Sequence, residues 1–231
     1  MAGKIGCVFG AACCMLLAAT PASAQSASGS DAAFQNFLRD SHTSRLVSQA
    51  LQNIPLARLG GCTLPFKLGK AQFAVTEPMS FDAGDAPTAG QWEIRQATNA
   101  CNRPFLINVF FTVKSAQNQQ IDFGLSGSTM AELAVQQAAL PAAYKAAGQY
   151  AKNCSTFEPE SASFGGYGLP DAPRPAPGPG ANIPAWWETW VVRGCGHAYD
   201  VPMGFEATSN STTIHAYDTK VSQHKYLTPA G

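Results

Sequence analysis

Polar and apolar residues alternate most cleanly over residues 104–114, where Phe105, Ile107, Val109, Phe111 and Val113 share one face of a predicted strand. Shorter stretches repeat the period: Phe73 and Val75 alternate with Gln72 and Thr76 in 71–77, and Trp92 and Ile94 alternate with Glu93 and Arg95 in 91–95. Three further strands are predicted near the C-terminus, over 186–193, 197–207 and 212–219. Helical spacing governs 31–54, DAAFQNFLRDSHTSRLVSQALQNI, which is predicted as a helix ending at Pro55 and broken near 41–44. A second, Ala-rich helix is predicted over roughly 129–152, opened by a Thr129/Glu132 capping-box pattern and kinked at Pro141. Between it and the last strands, residues 165–184 hold 11 Gly or Pro in 20, a composition that predicts a loop. The resulting fold class is α+β, an antiparallel sheet with two main helices.

The pattern reads as though one unit occurs twice. Counting four, six, eight and ten residues on from Cys101 gives Phe105, Ile107, Val109 and Phe111; the same steps from Cys195 give Tyr199, Val201, Met203 and Phe205. Trp92-Glu93 stands nine residues before Cys101, and Trp187-Glu188 eight before Cys195. Cys62 precedes Cys101 by 39 residues and Cys154 precedes Cys195 by 41. The expected organisation is a first α+β half over 25–125 and a second over 126–231, each with its own disulfide.

The N-terminus places Lys4 before an apolar run over 5–19 and ends in Ala22-Ser23-Ala24, the order of a secretory signal peptide, 1–24. The run is too short for a membrane-spanning helix, and no later segment is long enough. Removing 24 of 231 residues leaves 231 − 24 = 207. It also takes away one cation and no acid, so 15 − 1 = 14 basic residues face 15 acidic ones. With 13% charged residues and no basic surplus, nucleic acid and anionic lipid are not expected partners.

Four cysteines remain after cleavage, Cys62, Cys101, Cys154 and Cys195, and none forms a C-x-x-C pair. In an exported chain such a set predicts two disulfides, with three connectivities open. The apparent repeat favours Cys62 with Cys101 and Cys154 with Cys195. In the chain-entropy treatment, each such loop of roughly 40 residues stabilises by about 4 kcal/mol.

Trp190, Val192, Cys195, Gly196, Val201 and Phe205 form a W-x-V-x-x-C-G module followed by spaced Val and Phe. It resembles a segment near the C-terminus of exported proteins of Gram-negative bacteria that have no assigned function. The resemblance implies a periplasmic address and supplies no activity.

Three patterns carry candidate chemistry. Gly124-Leu125-Ser126-Gly127-Ser128 lies between a strand and a helix, the setting of a hydrolase nucleophile elbow, although Ser128 stands where that motif needs Gly. His197, His215 and His224, with Met203, offer imidazole and thioether ligands for copper or zinc. Trp186 and Trp190 fall on one strand face and Trp187 on the other, so one tryptophan face is expected in the core and the other as a binding surface. The leading expectation is a non-enzymatic periplasmic or secreted protein without cofactor, binding an envelope protein or a small ligand. A small exported serine hydrolase using Ser126 and a periplasmic metal-binding protein are the alternatives.

Overall fold

The computed structural model describes residues 24–63, 65–115, 118–151, 153–178, 183–208 and 211–225. The expected signal segment lies outside them except for Ala24, as do residues 179–182 of the Gly/Pro-rich stretch. Among the described residues the fold is α+β with antiparallel pairing except at one short strand, and it has three α-helices where two were expected.

The first expected helix is broken beside the expected 41–44, into α1 (Ala24–Arg39) and α2 (Ser41–Gln52). Asp40 separates them. Its backbone is extended, and its carboxylate accepts from the backbone N–H groups of His42 at 2.7 Å and Thr43 at 3.3 Å. That is the N-cap arrangement, which starts a new helix and ends the old one. Phe34 and Phe37 of α1 and Ala50 and Leu51 of α2 point inward.

These helices cover one face of a meander: β1 (Lys67–Phe81), β2 (Pro87–Ala100), β3 (Arg103–Ser115) and β4 (Asn118–Phe123), paired in that order. The alternating residues of β3 meet Phe34, Phe37 and Leu51 there. At the centre Trp92 is stacked on Phe111 with ring centroids 4.1 Å apart, and Phe37 stands edge-on to it at 5.5 Å.

A second sheet follows. Strand β5 (Ser126–Ser128) pairs parallel with β6 (Glu158–Leu169), and α3 (Leu133–Gly148) connects them. Then come β7 (Ala172–Arg174), β8 (Ala185–Gly194), β9 (His197–Ala207), β10 (Thr212–Ala216) and β11 (Ser222–Lys225). The order is β10-β9-β8-β6-β5, with β11 also on β9 and β7 on β6. Ala139, Ala143, Ala146 and Ala147 form the buried face of α3, and their small side chains leave room for Trp186, Trp190, Tyr199 and Phe205 of the sheet. Pro141 lies on the exposed side of α3, where its missing N–H costs the helix one bond without breaking it.

Two expectations need correction. The Gly/Pro-rich stretch is not one loop: Gly165, Gly166 and Gly168 belong to β6 and Ala172–Arg174 is a strand. The indole of Trp187 lies where a Cβ on Gly165 would sit, so this position of the strand requires glycine. The Thr129/Glu132 capping box does not form either. Glu132 caps α3 without a side-chain bond, and the Thr129 hydroxyl turns to Glu188 instead.

Both disulfides join the pairs favoured by spacing, Cys62–Cys101 and Cys154–Cys195, with Cα atoms 5.9 and 5.8 Å apart. Each places its second cysteine in a two-residue hairpin turn. Cys101-Asn102 and Cys195-Gly196 all have positive φ, the conformation that a twisted two-residue hairpin requires. Nine residues before each of these cysteines stand Trp92 and Trp186, opposite Phe111 and Phe205. In spacing and pairing, Trp186 rather than Trp187 is the residue that resembles Trp92.

The two sheets are tied by a 3-10 turn over Leu56–Leu59. The Arg58 guanidinium donates to the carbonyls of Pro159 and Phe123, and the Arg58 carbonyl accepts from Ser126 Oγ at 2.7 Å. Burial pushes the Arg58 pKa down, and the charges of Tyr144 and Glu158 oppose that shift only in part.

Candidate functional site

Trp186, Glu188 and Trp190 share one face of β8 by strand periodicity, and all three are buried. Glu188 is fully buried. Its Oε1 accepts from Trp186 Nε1 at 3.0 Å, Met130 N at 2.7 Å and Ala131 N at 3.2 Å. Its Oε2 accepts from Trp190 Nε1 at 2.8 Å and the Thr129 hydroxyl at 2.9 Å. Five donors thus converge on one carboxylate, which fastens the segment before α3 to the sheet. Burial on this scale removes Trp186 and Trp190 from any binding surface. Trp187, on the opposite face, is half-buried over Gly165 and Gly166 and sits opposite Gly204 of β9.

The other candidate residues are dispersed. Ser126 is 1% exposed, and its hydroxyl donates to the Arg58 carbonyl. Cys195 is tied up in its disulfide, with His197 beside it, Nδ1 lying 3.1 Å from the Cys195 carbonyl oxygen. His215 pairs with Glu206 at 2.9 Å. Its strand neighbour is Gly204, whereas His224 lies beside Ala198, six residues away along β9 and so about 20 Å distant. Met203 is buried on the face of β9 opposite the one that His215 shares with Gly204. Among the described residues, no group of three or more His, Cys, Asp or Glu is placed to hold a metal ion.

The feature with unspent polar capacity is elsewhere. A cleft of about 840 Å³ opens between the α1–α2 junction and the β1–β2 connection. Asn36, Phe37, Asp40, His42 and Thr43 form one wall; Asp85, Ala86 and Pro87 form the other. The connection is held by Asp82, whose Oδ1 accepts from the N–H groups of Gly84 and Ala86, both at 2.9 Å. Asp85 stands in the left-handed region at φ 60°, and its Oδ2 accepts from Asn36 Nδ2 at 3.1 Å across the cleft. Asp40 contributes a second carboxylate, held below its ordinary pKa chiefly by the hydrogen bond from the His42 N–H. Among the described residues, neither Lys nor Arg lines the walls. Thr43 is 1% exposed, and its Oγ1 has no hydrogen-bond partner among the described residues.

Nothing in the sequence pointed to this site. Its two walls lie about 45 residues apart in the chain, and neither carries a motif. The one local signal was Asp40 before Ser41-His42-Thr43, a cap pattern beside the break expected near 41–44. No protein-family model, curated protein or solved structure matches the chain. None of the described helices is long and apolar enough to cross a membrane.

Proposed function

We propose that the chain is an exported, non-enzymatic binding protein of the bacterial envelope, and that its ligand site is the cleft between the α1–α2 junction and the β1–β2 connection. The observation that carries this reading is a cleft that presents the carboxylates of Asp40 and Asp85 beside Phe37 and, among the described residues, neither Lys nor Arg. The volume falls in the range of small-molecule sites. Two carboxylates beside the Phe37 ring and Pro87 suit a ligand carrying an amine or guanidinium on an apolar stem. The residue on which the hydrolase reading would rest, Ser126, is engaged in the scaffold, its hydroxyl donating to a backbone carbonyl. Disulfides on both sheets support the exported address. The recurrence of a Trp over a Phe beside a cysteine-bearing hairpin turn supports descent of the two halves from one unit.

Calorimetric titration with spermidine, and with citrate as the anionic control, tests the site. Spermidine binds and citrate does not, and Asp40→Asn with Asp85→Asn weakens the amine by tenfold or more. Equal spermidine affinity in that double variant, or none in the wild type, refutes the assignment. Asparagine retains the cap of α2, so loss of binding is not loss of the helix.

A further inference from the structure

Among the described residues five large apolar side chains are exposed, and three of them, Leu68, Phe73 and Val75, lie on β1 at 50%, 45% and 45% exposure. Phe73 and Val75 pair with Ile94 and Trp92, so they belong to the face of the sheet that α1 and α2 cover. On β1 that cover ends. The strand is also an edge: β2 occupies one side, and among the described residues no strand occupies the other.

The edge is blunted in a particular way. Register shifts fall between Leu68 and Ala71 and between Val75 and Glu77, which leaves Ala71 to Val75 as the regular stretch. Bulges and charges at strand edges limit indiscriminate pairing. Here a cation, Lys70, sits at one end of the regular stretch and an anion, Glu77, just beyond the other end. Antiparallel pairing of this stretch with itself sets Phe73 across a two-fold axis from its own copy, Ala71 opposite Val75, and Lys70 beside Glu77 at both ends. A parallel arrangement would bring like charges together. The charge order therefore selects one orientation, and the two-fold closes the assembly at two chains.

We propose that a second copy of this chain is the partner of β1, joined edge to edge about Phe73 into a continuous sheet of eight strands. The exposed apolar residues of the two copies then form one strip across the axis. The spermidine cleft and this edge are separate surfaces, and each is tested by its own readout.

Sedimentation velocity on the full exported chain tests the dimer. The wild type is dimeric at about 100 µM, the concentration range in which a small interface associates. Lys70→Glu and Glu77→Lys each raise the dissociation constant by about tenfold, because both cross-strand charge pairs turn repulsive. An equimolar mixture of the two variants recovers association, since each reversed charge meets its opposite on the other chain. Both changes are on exposed residues, so the fold is not at stake. A monomeric wild type overturns the proposal, as does a mixture that associates no better than either variant alone. Dimers insensitive to both substitutions place the contact on another surface and overturn it equally.

Discussion

Replacing Glu188 with alanine removes the acceptor for five donors at once. Ala131 N keeps the Thr129 hydroxyl at 3.0 Å, and that hydroxyl is free to rotate. Three donors are left with nothing, namely Trp186 Nε1, Trp190 Nε1 and Met130 N. Each orphaned buried donor costs about 1–3 kcal/mol. With partial relaxation the sum is about 4–6 kcal/mol, which is large beside the total stability of a typical domain. Glu188→Gln keeps the shape and one oxygen but turns an amide N–H toward either Trp190 or the Met130 backbone, costing about 2 kcal/mol. The order of stability is therefore wild type, then Gln, then Ala. Urea unfolding followed by far-UV circular dichroism with the disulfides intact gives the three values. Amide exchange at Met130 and Ala131 should accelerate in the alanine variant, because those N–H groups lose their anchor. An alanine variant within about 1 kcal/mol of wild type would show that the carboxylate is not what holds α3 to the sheet.

Asp40 has its folded pKa lowered, chiefly by the His42 N–H, so its contribution is present above the unfolded value of about 3.9 and is lost as pH falls through the folded one. Asp40→Asn caps without titrating; the stability gap between wild type and variant at neutral pH should close in acid, and urea midpoints measured down to about pH 2 check it. Gly165→Ala drives a methyl group into the Trp187 ring and should destabilise by about 1–3 kcal/mol, with Trp187 displaced toward solvent. Acrylamide quenching separates that displacement from simple loss of stability, and unchanged quenching with unchanged stability would contradict the packing described.

Where burial on one face and local pairing agree, the pattern of residues was enough. The alternation over 104–114 became β3, and the near-equal spacing of the cysteines picked the two bonds that form. Strand β6 was hidden because its glycines answer to Trp187, some twenty residues further on, and composition alone reads them as loop. The Trp alignment slipped by one residue because Trp186 and Trp187 both precede Glu188, and only the pairing of Trp186 with Phe205 resolves which one matches Trp92. Glu188 did leave a trace, since an acidic residue two positions from each of two tryptophans shares their face. Its donors at 129–131 come from a different element, and no periodicity connects them. The cleft is a tertiary product in the same sense, built by a helix junction and a strand connection that meet only after folding.

The two disulfides join the first cysteine of the proposed mature chain to the second and the third to the fourth, so that neither loop encloses an end of the other. A chain threaded N-terminus first into an oxidising compartment presents its thiols in that same order. An oxidant that couples each new thiol to the one before it makes the native pairs, with no later reshuffling of bonds. For the exported chain proposed above, oxidation in order of entry is therefore enough to form both native pairs, without a disulfide isomerase.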